Sequence, residues 1–494
     1  MTGNPGNSGL ASQAASSVAW LTAQTWLAKA GGFVTVVLLA RLLSPSDFGL
    51  VAVAMTVVPV VYLIADLGFA TYLVQVKEIK GHVASTAFWY SALSGLMLSV
   101  LLVASAPLLE SLFGVPGVAG VISAMAPAVI FVSLAAVPIA LLRRGMRFRA
   151  LSIQAAVAAL VGQIVAIAMA VSGAGVWALV AQVVVAQVVT MIAAWVAARW
   201  RPSRAFDWTQ FRTMFSFGSK VVGVNAIAMG RQWAENAIIS NVLGAAALGQ
   251  LTVAQRLVQT GQEIAGAAIT PVSTVVFAQV REDRGRLRRG YDRALGLSYL
   301  VIAPALTAIL VTAPVLVPFL FGPQWTHSVG AAQALSVAAL FTLAATLDHG
   351  LFYGLGRPGM WLVYATVTDV VTVIVTAVLA RHGIVAITTG FAVVAAVATI
   401  VRIILVARVI GASVWIGVRR ILAAMTAMGA SALAGWGTLV LLPEMPSILV
   451  ILIVGAAVLI VHLCVARLLL PAAFRDVVHE LRSRIRRHER GVMK

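Results

Sequence analysis

The sequence predicts an all-α polytopic membrane protein with about fourteen transmembrane helices. The chain has 494 residues, of which 61% are hydrophobic and only 10% are charged, and its mean hydropathy is +1.00. A soluble protein of this length needs far more polar surface to cover its core. The apolar residues also fall in runs of roughly 20, the length of a bilayer-spanning helix. Outer-membrane strands would instead alternate between apolar and polar residues in short segments.

The individual helices follow from the apolar runs, each bounded by charged residues or by Pro and Gly. In chain order, the sequence predicts helices over 17–41, 49–71, 84–108, 118–141, 151–172, 174–197, 213–240, 245–276, 294–318, 330–353, 359–380, 383–407, 418–441 and 446–468.

The basic residues follow the even-numbered helices. Clusters occur at 143–149, 199–212, 281–293 and 408–420, and a last one follows the fourteenth helix. The loops after odd-numbered helices contain almost none, with Arg41 and Arg381 as exceptions. This alternation is the positive-inside pattern and predicts a bacterial inner-membrane protein with both termini in the cytoplasm. It also accounts for the net charge of +19 without nucleic acid.

Motifs for catalysis or cofactor binding are missing from the sequence. Cys464 is the lone cysteine, so we expect no disulfide framework and no CxxC metal site. No Lys or Arg precedes Lys29, which argues against a cleaved signal peptide. No P-loop is present either. We therefore expect no cofactor, no metal and no enzymatic activity.

The two halves of the chain repeat the same phrases in the same order. Ala106–Gly114 (APLLESLFG) resembles Ala313–Gly322 (APVLVPFLFG), and Leu142–Gly145 occupies the same relative position as Leu351–Gly354. Upstream, residues 43–54 align with 243–254 at an offset of 200. A shift of this size carries the first helix onto the seventh, so the halves are parallel repeats of the kind found in alternating-access transporters.

The repeat predicts a domain organisation with two lobes of six helices each. The expected segments are a disordered cytoplasmic N-terminus (1–16), an N-lobe (17–212), a C-lobe (213–410), helices 13–14 (411–468) and a basic tail (469–494). In the tail, apolar and basic residues alternate at helical spacing. That pattern is typical of an amphipathic helix on an anionic membrane surface.

The junction between the first two predicted helices carries a specific phrase, Ala40–Leu50 (ARLLSPSDFGL). Ser44 and Asp47 can cap the second helix, and Gly49 permits close helix packing. Together with Ala65–Ala70 (ADLGFA), this phrase resembles the bacterial polysaccharide-synthesis flippases of the Wzx type, in the MOP superfamily. Two further matches are Arg144–Phe148 (RGMRF) and Leu320–Trp325 (LFGPQW).

The resemblance implies a V-shaped, two-lobed fold and a function in transport across the membrane. The expected cargo is a polyprenyl-diphosphate-linked oligosaccharide, moved from the cytoplasmic to the outer leaflet by alternating access. Membrane lipids and glycan-assembly proteins are the expected partners. Since the chain has no nucleotide site, the expected energy source is the membrane potential or a proton or Na⁺ gradient.

Among the charged residues within predicted helices, where charge is costly and usually faces an interior cavity, four are the leading candidates. Lys29 lies midway along the first helix, Arg231 and Glu235 lie one turn apart in the seventh, and Arg256 lies in the eighth. We expect Arg231 and Glu235 to pair. The three cations would offset the desolvation of the diphosphate that the resemblance implies. A permanent structural role for the pair is the alternative.

Further polar residues are weaker candidates. Candidates for a gate, a cap or ion coupling are Asp66, Asp348, His349 and Asp369, of which Asp348 and His349 lie near a helix end where water would reach them. Candidates for sugar contacts are Asn225, Gln232, Asn236 and Trp26, although interhelical hydrogen bonding and interfacial aromatic belts also explain such residues.

Two other functions compete with this interpretation. A MATE-like drug or ion antiporter would need an acidic cavity, whereas the charge predicted at membrane depth is mainly positive. A membrane-embedded polysaccharide polymerase would need paired carboxylates in a sizeable external loop. No predicted external loop exceeds about ten residues by the helix limits expected here.

Overall fold

The computed structural model describes residues 31–76, 78–79, 82–266, 283–469, 471 and 474–475, and all regular secondary structure within these ranges is helical. The described part of α1 covers Gly31–Leu42. The remaining helices, in chain order, are α2 Pro45–Asp66, α3 Phe69–Gln75, α4 Val83–Phe113, α5 Val118–Met125, α6 Pro127–Arg144, α7 Phe148–Val171, α8 Val176–Ala198, α9 Trp208–Gly266, α10 Arg284–Phe321, α11 Ser328–Thr342, α12 Ala345–Gly354, α13 Pro358–Leu379, α14 Ile384–Ile410, α15 Val414–Leu441 and α16 Ser447–Leu469.

The helices of the described ranges fall on the predicted runs, three of which (49–71, 118–141 and 330–353) are each divided into two helices, and this confirms the all-α polytopic fold. Within the described ranges, twelve helical stretches are long and apolar enough to cross a membrane. The predicted seventh and eighth helices form the single element α9. It turns at Gly244, whose φ of 82° is a conformation that glycine adopts without steric cost. The chain is therefore a multi-pass membrane protein.

The start of α2 has the cap that the sequence predicts. The Ser44 side chain accepts a hydrogen bond from the Asp47 amide at 3.2 Å. In return, the Asp47 carboxylate accepts one from the Ser44 amide at 2.9 Å. This is a complete capping box, with Pro45 in the first turn, where its missing N–H costs no hydrogen bond.

The repeated phrases both end a long helix at a glycine. Gly114 follows α4 with a φ of 63°, and Gly322 follows α10 with a φ of 107°.

Two predicted boundaries are wrong. Helix α4 continues to Phe113, five residues beyond the predicted end at 108. Helix α10 begins at Arg284, ten residues before the predicted start of the ninth helix, so the basic stretch there is helical rather than a loop.

Contacts divide the chain into two compact units, Met1–Gly249 and Gln250–Lys494. The predicted lobe limits, which rest on the repeat, stay a prediction. Several predictions lie outside the described residues: Lys29, Trp26, the N-terminal segment 1–16 and the tail beyond 475.

Within the first unit, the starts of two repeat-related segments meet at a pair of glycines. A Cβ on Gly49 would overlap the backbone carbonyl of Ala245, and a Cβ on Gly249 would overlap that of Pro45. The contact is reciprocal at the repeat offset of 200, since residues 45 and 49 meet residues 249 and 245. Close backbone approach of this kind requires residues without a side chain, which confirms the packing role expected for Gly49.

Candidate functional site

Arg231 and Glu235 form an ion pair within the apolar stretch Met229–Glu263 of α9. Nη1 of Arg231 donates to both carboxylate oxygens, at 2.8 and 3.0 Å. The Glu235 side chain is only 8% exposed, whereas that of Arg231 is 39% exposed. The expected pairing is therefore confirmed. The pair neutralises a buried carboxylate, and the Arg231 side chain is partly exposed.

The opposite side of α9 packs against the rest of the first unit. Ser240 donates to the Phe113 carbonyl at 2.9 Å, and the Trp233 ring lies 5.4 Å from that of Phe113. Asn236 donates to Thr56 Oγ1 on α2 at 2.7 Å. At 3.6 residues per turn, Trp233 and Ser240 lie across the helix from the ion pair. These contacts fix the orientation in which α9 presents Arg231.

Asp66 lies at the break between α2 and α3. Leu67 and Gly68 both have positive φ, at 46° and 68°, which ends α2. Asp66 Oδ1 then accepts a hydrogen bond from the Ala70 amide at 3.2 Å. The capping interpretation of Asp66 is thus confirmed, and its role in a gate stays a prediction.

The other predicted polar residues of α9 are spread along the helix. Asn225 and Gln232 are exposed, and Arg256 is half-buried beyond the turn at Gly244. The Asn236 amide takes part in the interhelical bond to Thr56, the ordinary alternative to a sugar contact.

The second unit contains a buried ionic cluster that brings three helices together. Arg402 of α14 pairs with Asp348 of α12 at 2.6 Å, and their side chains are only 3% and 1% exposed. Tyr291 of α10 donates to the other oxygen of the same carboxylate at 2.5 Å. The expectation that water reaches the Asp348 side chain is therefore wrong. Its position near a helix end does not expose it, because α10 and α14 cover it.

Arg402 also satisfies a backbone carbonyl that a helix break leaves without a partner in its own helix. Helix α11 ends at Thr342 and α12 begins at Ala345, so the last carbonyls of α11 need other donors. The Phe341 carbonyl accepts hydrogen bonds from Arg402 Nη2 and from Thr399 Oγ1, both at 2.9 Å. The guanidinium thus fixes the break between the two helices.

A second ion pair, between Asp292 of α10 and Arg420 of α15, lies beside this cluster. A cavity of about 40 Å³ between the two pairs is lined by their side chains and by Tyr291. A cavity of this size has room for a water molecule. The two ion pairs join α10, α12, α14 and α15 within the second unit.

The remaining predicted residues of the second unit lie apart from this cluster. His349 is exposed and stacks on Tyr353, with ring centroids 4.3 Å apart. Asp369 is half-buried on α13. Among the described residues, no group of three or more His, Cys, Asp or Glu side chains is arranged to hold a metal ion.

Sequence reasoning missed Arg402 and Tyr291. The signal for Arg402 was present, because it is the lone charge between Arg381 and Arg408 in an apolar run, and such residues usually have a buried partner. Tyr291 gives no comparable signal, because its role depends on the carboxylate that the fold places beside it.

Two solved structures share the fold of this chain. The chain superposes on the lipid II flippase MurJ in an inward closed conformation with a TM-score of 0.75, covering 93% of this chain and 99% of that one at 13% identity. An inward-facing multidrug resistance MATE family transporter of the MOP superfamily gives a TM-score of 0.59, over 80% of this chain and 95% of that one at 17% identity. At these identities the likeness shows the MOP-type fold.

The sequence comparisons identify the family. Residues 38–330 match the model of the family described as polysaccharide biosynthesis protein, so the chain belongs to that family. The flippase family resemblance found in the motifs is confirmed.

Two curated relatives support the same assignment. The succinoglycan biosynthesis transport protein ExoT of Rhizobium meliloti (strain 1021) is 27% identical over 296 residues, or 60% of each chain. The lipopolysaccharide biosynthesis protein WzxC of Escherichia coli (strain K12) is 22% identical over 331 residues, or 66% of each chain. The matches thus span less than two thirds of the length of either relative.

Proposed function

We propose that this chain is a flippase for a polyprenyl-diphosphate-linked oligosaccharide, used in the synthesis of a cell-surface polysaccharide. Its family membership and the biosynthesis and transport roles named for its relatives support this function. The structural observation that carries the proposal is the Arg231–Glu235 pair. It places a partly exposed arginine side chain within an apolar stretch of a helix whose other side is fixed by packing.

The carboxylate of Glu235 occupies the position that an anionic substrate group would take. An arginine side chain binds carboxylates and phosphates through the same donors. A diphosphate that enters beside α9 can therefore replace the Glu235 carboxylate as the partner of Arg231. Arg256, and Lys29 under the repeat, provide further positive charge along the proposed path. Alternating access carries the headgroup past these cations, and the tail stays in the lipid.

The proposed location is the bacterial inner membrane, with both termini in the cytoplasm. The alternation of basic loops supports this orientation. Partners beyond the lipid-linked glycan are glycan-assembly proteins, and the proposed driving force is a proton or Na⁺ gradient or the membrane potential. Asp369 of α13 stays a candidate for ion coupling.

The test is a proteoliposome assay in which a fluorescent oligosaccharide on polyprenyl diphosphate becomes accessible to an impermeant glycosidase. Arg231→Gln, Arg256→Gln and Lys29→Gln are expected to slow flipping per molecule of folded protein, and Arg231→Lys retains more activity because it keeps the charge. Arg201→Gln is the matched control, since Arg201 is exposed in a loop. Normal flipping by all three glutamine variants would contradict the cationic path.

Glu235→Gln separates a substrate role from a structural lock. If Arg231 serves the substrate, this variant keeps measurable flipping, because the guanidinium remains. If the ion pair has only a structural role, Glu235→Gln and Arg231→Gln lower the amount of folded protein equally.

The MATE-like alternative predicts export of cationic drugs. Cationic dye efflux by the same proteoliposomes, abolished by Glu235→Gln, would favour it over the flippase. The mainly positive charge of Arg231, Arg256 and Glu235 taken together supports the anionic substrate instead. A polymerase would require carboxylates in an external loop, and it would lengthen the glycan rather than move it.

A further inference from the structure

An apolar groove separates α13 from α14 in the second unit. It encloses about 780 Å³, and the residues lining it are almost all apolar. Most of them are valines, at positions 363, 367, 371, 375, 393, 394, 397 and 401. Helix α13 buries only Thr372 and Thr376, so most of its surface is left for lipid.

The groove closes at one end because the two helices come into close contact there. Gly390 of α14 lies against Val375 and Leu379 of α13, where a Cβ would overlap their side chains. From this contact the groove extends to Gly359 on α13 and Leu405 on α14. It is therefore a wedge, closed at the glycine contact and open at its other end.

The length of the groove exceeds one leaflet of a membrane. From Gly359 to Val375, α13 rises by about 24 Å at 1.5 Å per residue. The hydrocarbon core of a bilayer is about 30 Å thick, so one leaflet provides about 15 Å. A phospholipid acyl chain confined to one leaflet would fill little more than half of the groove, whereas a long isoprenoid chain can continue past the midplane.

The open end of the groove is basic. Arg357 immediately precedes α13, and Arg408 lies in the last turn of α14. Since only Ala380–Gly383 connects the two helices, they are antiparallel, and both arginines lie at the same end. Both side chains are exposed. Two guanidinium groups at the membrane surface favour a lipid headgroup with more than one phosphate.

We propose that the groove between α13 and α14 binds the polyprenyl chain of the lipid-linked glycan, with its diphosphate at Arg357 and Arg408. The identity of this lipid rests on the proposed function. The groove, its length and its basic end are features of the structure and do not depend on the proposed function. Such a site holds the isoprenoid tail along α13 and α14 of the second unit.

The test is photocrosslinking of the full-length protein in nanodiscs of phosphatidylethanolamine and phosphatidylglycerol. The probe is a polyprenyl diphosphate with a diazirine on its isoprenoid chain and no sugar. Label is expected on peptides covering 359–375 and 393–405. An excess of unlabelled polyprenyl phosphate should remove it, and an excess of phosphatidylglycerol should not.

Matched tryptophan variants test the position of the site. Val367→Trp and Val397→Trp fill the groove and are expected to abolish labelling. Val378→Trp is the control, since Val378 is 65% exposed on the same helix beyond the groove lining. The double variant Arg357→Gln/Arg408→Gln should lose label from the diphosphate probe and keep label from the corresponding polyprenol.

Three outcomes overturn the proposal: equal competition by phosphatidylglycerol, label elsewhere only, or full labelling of both groove variants. The flipping assay keeps this result separate from the proposed function. Wild-type protein that binds the probe in the groove but moves no glycan contradicts the proposed function alone. Protein that flips normally, with labelling unaffected by either groove tryptophan, contradicts the groove alone.

Discussion

At the scale of single residues, Arg402 has the most consequential environment in the described part of the second unit. Its guanidinium is buried among apolar helices and pairs with Asp348, while also donating to the Phe341 carbonyl. A buried charge is tolerated only when such partners replace water. Loss of either member leaves the other charge buried and unpaired, which is more damaging than losing both.

We therefore expect Arg402→Gln and Asp348→Asn each to destabilise the folded protein by about 3–5 kcal/mol. The double variant should be less destabilised than the sum of the two single variants, because it leaves no unpaired charge. The measurement is a thermal unfolding series in detergent, analysed as a double-mutant cycle.

Arg419→Gln is the control for this cycle, since Arg419 is basic and exposed. The interpretation of the cluster fails if the single variants melt at the same temperature as Arg419→Gln, or if the double variant shows simple additivity.

At the scale of elements, the reciprocal glycine contact fixes how the start of α2 crosses α9. Gly49 and Gly249 each lie against the backbone of the other segment. No side chain fits between them, so the distance between the helices is set by the backbones themselves.

Gly49→Ala and Gly249→Ala are each expected to cost about 1–3 kcal/mol, as in other overpacked sites. The apparent melting temperature of the purified protein should fall in both. Gly429→Ala is the matched control, because Gly429 is helical in α15 and has open space around its Cα. That change should be neutral or stabilising by up to about 1 kcal/mol. Equal effects at all three positions would refute the close crossing.

At the scale of the whole molecule, the distribution of basic residues makes a prediction about orientation. The loops between α7 and α8 and between α14 and α15 should lie on opposite sides of the membrane, the second in the cytoplasm. Ser172 and Ser413 are exposed serines in these two loops, and Cys464 is the lone native cysteine.

In a Cys464→Ala background, Ser172→Cys should react with a membrane-impermeant maleimide in intact cells. Ser413→Cys should react only after the membrane is opened. The measurement is the mobility shift or mass of the labelled protein. The reverse pattern would place the termini outside and contradict the proposed direction of transport.

Much of this architecture could be predicted from the sequence because hydrophobicity decides where helices lie in a membrane. The errors have local causes. The predicted run 84–108 stops short of Glu110, although α4 continues to Phe113 and includes this charge. The arginines at the start of α10 suggested a loop, although Asp283 caps a helix there.

The candidate site was predictable only where the relevant residues are close in sequence. Arg231 and Glu235 are four residues apart, so helical geometry alone pairs them. Arg402, Asp348 and Tyr291 come from three helices far apart in the chain, and the groove between α13 and α14 depends on how Gly390 sets their separation. Neither arrangement is encoded in a local pattern.

The order of the buried cluster along the chain has a consequence for biogenesis. Tyr291 and Asp348 leave the ribosome before Arg402, so the helices that carry them enter the bilayer while the guanidinium is still unsynthesised. A charged side chain at the centre of a spanning helix costs about 2.5–3.5 kcal/mol during insertion. When helix α14 inserts, the Asp348 carboxylate that pairs with Arg402 is therefore already in the membrane. A nascent chain that is cut before residue 384 contains Asp348 but lacks Arg402. Such truncated chains should be recognised and degraded by membrane quality control sooner than chains cut after residue 410.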